Sequence, residues 1–385
     1  MMLPYYSFDG LENSCVTRVR FSPLKNEVLA VGVDSSGYVR LMDLQAQRSA
    51  NYNYDKHLGP ESDVYVPHLC DFSFNECGKC IYVASSDGSV SISALNMIGS
   101  RLDRRNKLFT LYDTHIGGTF CVYPSPEYDF MIYTGGGDGY IRQWDLRLLS
   151  NRNIYSIDNN SEKQWSKPLL SLWAHIRPVS SMSLEIEKHI LTCGFGENLR
   201  MWSADTFTAT ETLDSRCEDF GIWDVCVNTC NRCAVAIGDY GSVWTFSYDL
   251  KCKDLRRFHF KDGVANEDVC KEDPPLFIKW RRICVYGNKV VIPTVNKDDY
   301  TKGYVIDVGS GEIVDRLLYP EDCKLRNHNI ASVDAHPNLH VGLLISGGSY
   351  SWFSSLNFTH EPTGGVNSGM CTVWLDELSR PAAKM

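Results

Sequence analysis

His115, Thr134 and Asp138 have the residue types of a hydroxyl–imidazole–carboxylate relay, with Trp144 a few positions further on. In a nucleophilic enzyme such a set would make Thr134 the nucleophile, His115 its base and Asp138 the group that orients the ring. The same groups also form plain packing networks, because a buried hydroxyl, imidazole or indole N–H must find a partner. The local pattern favours the second reading. Thr134 to Arg147 reads Thr-Gly-Gly-Gly-Asp-Gly-Tyr-Ile-Arg-Gln-Trp-Asp-Leu-Arg, preceded by the apolar run Phe130 to Tyr133. Glycines permit the positive φ of a tight corner, and the alternation from Tyr140 gives a strand with one side chain per face. Thr134, Asp138 and Trp144 therefore belong to a β-hairpin, with His115 on the chain leading into it.

That hairpin recurs. Similar strands end near Met42, Ser93, Trp144, Trp202, Phe246, Ile306 and Trp374, which makes seven copies of one unit stretched by loops of different length. Each copy reads as three strands ending at its anchor, followed by a fourth before the next copy. The copies cover roughly residues 16–54, 69–112, 119–173, 179–215, 222–260, 277–318 and 330–376, so the whole chain, 1–385, is expected to be one repeat domain. With 43% hydrophobic residues it has ample material for a core.

This pattern resembles the WD-repeat family of β-propellers, most closely in the third and fourth copies. The resemblance implies an all-β fold of seven four-stranded blades. It also implies a hydrogen-bonded chain from Trp144 through Thr134 to His115 and Asp138. The fourth copy keeps His175, Thr192 and Trp202 but has Gly196 where an aspartate would stand, which predicts an incomplete network. Elsewhere Glu12, Tyr65, Glu218 and Arg326 occupy the histidine place. Little chain follows Trp374 to make an outer strand, whereas residues 3–8 have no other partner. The amino-terminal segment is therefore expected to complete the last blade and close the ring.

Other motifs carry less. Cys77/Cys80 and Cys230/Cys233 suggest a four-thiolate zinc site, but they fall in copies two and five, which a seven-membered ring would hold too far apart for Zn–S bonds of about 2.3 Å. Gly135-Gly136-Gly137 and Gly194-Phe195-Gly196 each join two strands and open no helix, so neither is a phosphate loop. Arg40, Arg142 and Arg200 all stand two residues before an anchor, which marks a repeat position. The net charge of -9 argues against phosphate-backbone binding, and direct nucleic-acid contact is not expected. No apolar run is long enough for a membrane span. Fifteen cysteines lying singly in strand-like runs suit a reducing compartment, the cytoplasm or nucleus.

Two surfaces are candidates for partners. Trp144, Asp145 and Arg147 resemble the box by which some WD-repeat proteins dock as substrate receptors on the cullin-4 ubiquitin-ligase adaptor; Arg147 is the discriminating residue. The long loop of the seventh copy carries Tyr350, Trp352, Phe353 and Phe358, aromatic anchors suited to a protein partner. The expected function is a non-catalytic interaction scaffold or adaptor, with no catalytic residue, metal or cofactor site assigned. A cullin-4 substrate receptor, a nuclear transcription or chromatin subunit and a propeller enzyme with a top-face site are the alternatives.

Overall fold

A computed structural model describes residues 2–8, 14–24, 29–53, 68–95, 107–148, 167–212, 222–238, 243–248, 282–293, 301–319, 329–338, 342–349 and 369–376. Every named element among them is a β-strand. The chain opens with β1 (Met2–Phe8), followed by β2 (Val16–Phe21), β3 (Leu29–Asp34), β4 (Tyr38–Asp43) and β5 (Arg48–Asn53). Next come β6 (Leu69–Phe74), β7 (Cys80–Ser85), β8 (Val90–Ala94) and β9 (Lys107–Leu111). The third group is β10 (Thr119–Pro124), β11 (Met131–Gly136), β12 (Tyr140–Asp145) and β13 (Leu170–Trp173). The fourth is β14 (Val179–Ser183), β15 (His189–Gly194), β16 (Leu199–Ser203) and β17 (Ala209–Thr212). Then follow β18 (Ile222–Asn228), β19 (Cys233–Gly238) and β20 (Val243–Ser247), and after them β21 (Cys284–Tyr286), β22 (Lys289–Pro293), β23 (Thr301–Asp307) and β24 (Ile313–Leu318). The last are β25 (Asn329–Ala335), β26 (Leu343–Ser349) and β27 (Gly369–Asp376).

Consecutive strands pair up and down within small antiparallel sheets, the arrangement of a β-propeller. Four sheets have four strands and the β18-β19-β20 sheet has three. The eight-stranded sheet, in the order β21-β22-β23-β24-β1-β27-β26-β25, is two four-stranded units joined edge to edge, so the unit occurs seven times among the described residues. The expected fourth strand of the fifth copy falls outside them.

The strands divide into two compact units, Pro67–Val225 in one and Met1–Val66 with Cys226–Met385 in the other, the division falling inside β18. Within each, the core lies between successive sheets. In the first unit Cys121, Ile141, Val179, Met182, Ile190 and Trp202 pack the third sheet against the fourth. In the second, Val16, Val19 and Met42 meet Ile345, Cys371 and Val373. Being covered on both faces, inner strands such as β3 and β6 are buried throughout, whereas the outer strand β13 is largely exposed. Close stacking leaves no room for a Cβ at two positions: one built on Gly135 would lie 2.8 Å from Val179, and one on Gly347 2.5 Å from Val16.

The amino-terminal strand completes the last copy, as expected. β1 runs antiparallel to β27, with Leu3 opposite Leu375, Pro4 opposite Trp374 and Phe8 opposite Cys371, and a bulge between Pro4 and Tyr6. Its other edge touches β24 in parallel at Met2 and Leu317. Met2 and Phe8 are buried, and the bulged Tyr5 is exposed.

Candidate functional site

One ladder position sets the geometry of every copy. Ala30 faces Met42, Ile81 faces Ser93, Ile132 faces Trp144 and Ile190 faces Trp202. Ala234 faces Phe246, Val290 faces Ile306 and Leu344 faces Trp374. All seven anchors are buried. Three of them are tryptophans, and each donates its indole N–H to a hydroxyl two residues beyond its ladder partner: Trp144 to Thr134 at 2.9 Å, Trp202 to Thr192 at 2.9 Å and Trp374 to Ser346 at 2.8 Å. The corresponding residues in the other copies are Gly32, Val83, Ala236 and Ile292. A hydroxyl is present where a buried N–H needs an acceptor, and absent where no anchor supplies one. Ser346 adds to the network residues expected from sequence.

In the third copy the chain of bonds runs to the surface. Thr134 Oγ1 lies 2.7 Å from His115 Nε2, and His115 Nδ1 lies 2.8 Å from Asp138 Oδ1. Trp144 donates to Thr134, Thr134 to Nε2, and the Nδ1–H to the carboxylate, which fixes a neutral imidazole. Burial lowers the pKa of His115, against the pull of Asp138. Burial also pushes the Asp138 carboxyl up, but bonds and charge from His115 and Arg142 outweigh it and hold the group well below the usual carboxylate range. Arg142 donates to Asp138 Oδ2 at 2.7 Å and to the Thr114 carbonyl at 2.8 Å, and its guanidinium lies against the imidazole edge. Thr134 is fully buried with its proton committed to His115, an arrangement that locks the hydroxyl in place.

The fourth copy corrects the sequence expectation. Its network is complete, because Glu197 takes the place assigned to an aspartate at Gly196. His175 Nδ1 lies 3.1 Å from Glu197 Oε2 and Nε2 lies 2.9 Å from Thr192. Glu197 also accepts the Ile176 and Arg177 amides, as Asp138 accepts that of Ile116. One residue later in the turn and one methylene longer, glutamate reaches the same histidine nitrogen. Gly196 takes φ +68, a conformation that costs glycine little.

The histidine loops also tie sheet to sheet. Thr114 donates its backbone N–H to Gly88 O at 2.7 Å, and Ala174 and His175 donate theirs to Gly139 O at 2.9 and 3.0 Å. A Cβ on Gly139, at φ +75, would lie 2.1 Å from the His175 carbonyl oxygen, so only glycine lets the two loops meet. The repeat arginines hold the loops that enter their own copies. Arg200 donates to the Ala174 carbonyl, and Arg40 donates to Asp34 at 3.3 Å and to Ser14 at 3.2 Å. Burial pushes the Asp34 carboxyl up, against Arg40.

Arg147 differs from these. Its guanidinium grips Asp145, Nε to Oδ1 at 3.0 Å and an Nη to Oδ2 at 2.7 Å, and lies 3.5 Å over the Phe130 ring. The side chain nevertheless remains 63% exposed. Asp145 thus orients Arg147, while Trp144 beside them points inward to Thr134. Arg147 is thus a fixed, exposed cation beside the buried anchor Trp144.

Cys77 and Cys80 stand at the β6–β7 turn and Cys230 and Cys233 at the β18–β19 turn. Burial pushes the Cys80 thiol up, with Cys77 adding to it. Tyr350, Trp352, Phe353 and Phe358 lie outside the described residues, as do Glu12, Tyr65, Glu218 and Arg326.

The family model described as WD domain, G-beta repeat matches residues 106–145. That span runs from β9 through the histidine loop to Trp144-Asp145, so it takes one strand from the second sheet and three from the third. No curated protein matches the chain. The repeated sheets and the shared anchor position make the fold propeller-like, and with residues 106–145 similar to a WD repeat they support a WD-repeat β-propeller.

Proposed function

We propose that the chain is a non-catalytic scaffold or adaptor subunit of a multiprotein complex, acting in the cytoplasm or nucleus. One observation carries the reading. The residues with the types for chemistry, His115, Thr134 and Asp138, are used up in holding the third and second sheets together, whereas Arg147 is aimed outward. Asp145 and Phe130 fix the guanidinium before any partner arrives, which reduces the ordering cost of binding. Affinity purification with mass spectrometry tests this: a reproducible set of stoichiometric partners is expected, and none would refute it.

A second reading is a substrate receptor of a cullin-4 ubiquitin ligase, favoured by the Trp144, Asp145 and Arg147 box. Arginine suits such a contact because its planar fork can engage a partner's carbonyl or carboxylate while stacked on a ring. Co-purification of the ligase adaptor, lost with Arg147→Ala in a folded protein, is the expected result. Purification of partners without that adaptor would leave the scaffold reading and remove this one.

A further inference from the structure

Where the third and fourth sheets meet, at the end of the unit bearing the β10–β11 and β14–β15 turns, a cavity of about 250 Å³ opens to solvent. Ligand sites for drug-sized molecules occupy roughly 300–1,000 Å³, so this one is scaled to a single side chain. Glu127 and Tyr128 line it from one turn, Lys188 and His189 from the other, and Asp205 from beyond β16. Tyr133 and Gln143 line it as well.

Those two are unusual for a cavity wall, being 4% and 7% exposed and polar. Gln143 Nε2 donates to the Tyr133 hydroxyl at 2.9 Å. Its carbonyl Oε1 has no hydrogen-bond partner among the described residues and is not sealed from solvent, which leaves an open acceptor in the lining. A ligand donor entering the cavity can bond to that oxygen. Burial pushes the Tyr133 hydroxyl's pKa up, and the charges of Glu127 and Asp205 add to the rise, which places both carboxylates around the same spot. Lys188 offsets one of them. His189 is held by the Glu187 carbonyl at 2.7 Å.

We propose that this cavity receives an arginine side chain of a partner protein, with Glu127 and Asp205 pairing its charge and Gln143 Oε1 accepting from its inner end. A guanidinium suits the lining: its five donors are arranged in a plane and can serve carboxylates and an amide carbonyl together, while Tyr128 offers a half-exposed ring face. Tyr128 also packs 5.6 Å from Phe130, the ring that Arg147 covers, so the cavity and the outward guanidinium belong to one continuous surface. The proposal rests on the scaffold reading and names the chemistry of a contacting residue.

The test uses the full chain with ¹³C-methyl methionine, because Met131 lines the cavity. A capped Gly-Arg-Gly peptide is expected to move the Met131 methyl signal saturably. The citrulline peptide, neutral and nearly isosteric, should bind at least tenfold more weakly. Glu127→Gln with Asp205→Asn should abolish the arginine response; both residues are exposed, and an unchanged melting curve checks the fold. Equal binding of the two peptides, an unmoved Met131 signal, or an arginine response surviving the double substitution would overturn the proposal. Purification from cells separates its failure from that of the scaffold reading: a partner set recovered with a chain that ignores arginine removes only the cavity assignment.

Discussion

His175 and Glu197 meet at 3.1 Å, and that contact completes a relay in the fourth sheet that runs from Trp202 through Thr192. Glu197→Ala should orphan the imidazole N–H and two loop amides. A loss of about 1–3 kcal/mol is expected in urea unfolding at neutral pH. Glu197→Gln should retain part of it, since the amide oxygen still accepts.

Each indole depends on its hydroxyl. Thr134→Val, Thr192→Val and Ser346→Ala should each cost about 1–3 kcal/mol, because each leaves a buried N–H without an acceptor. The cost of Thr134→Val should shrink in a Trp144→Phe background, where there is no N–H to satisfy; a double-mutant cycle measures the coupling. Val83→Thr, at the matching place beside Ser93, should bring no gain.

Burial depresses the pKa of both relay histidines below the ordinary 6.5. As pH falls through 6.5 the unfolded chain takes up protons that the folded chain refuses, so stability is full above that value and declines toward the folded-state pKa values. The slope should reach about 1.4 kcal/mol per pH unit for each histidine at most. Urea midpoints between pH 8 and 5 should show this, and His115→Gln with His175→Gln should flatten the profile while lowering its plateau. Asp138 and Glu197, held below their ordinary pKa values, add a second loss at more acid pH.

Removing the amino-terminal strand should destabilise the protein strongly. Met2 and Phe8 are buried in separate clusters on either side of β27. Met2→Ala should cost about 2–5 kcal/mol and Phe8→Ala about 3–5 kcal/mol. Deletion of residues 1–8 should lower the melting temperature by more than either substitution, and scanning calorimetry is the direct check.

Arg147→Ala should leave the melting curve unchanged, because the guanidinium is exposed where it pairs with Asp145 and stacks on the Phe130 face. Its effect should appear in partner recovery alone, measured by quantitative affinity purification.

The repeat was legible because its signals are local. A glycine corner, an alternating strand and a tryptophan declare themselves within a dozen residues, so the strands and anchors of most copies could be placed, including the pairing of residues 3–8 with the last strand. Glu197 was missed because the expectation fixed a position and a residue type, whereas the bond needs only a carboxylate within reach of His175 Nδ1. A later position and a longer side chain satisfy the same distance. Ser346 was missed because serine is common, and it becomes informative only when the ladder shows it two residues past Leu344. The cavity at Gln143 could not be read at all: its walls come from two turns and a strand of adjoining sheets, and nothing in any one segment marks an open acceptor.

The pairing of β1 with β27 has a consequence for biosynthesis. A strand made among the first residues is completed by one made near the last, so during translation β1 waits with Met2 and Phe8 uncovered while nearly every other sheet assembles. Pairing across such a sequence separation is slow to form, and an exposed apolar strand edge is a target for aggregation or chaperone capture. The nascent chain should therefore be most vulnerable just before β27 leaves the ribosome, however well formed its earlier sheets already are.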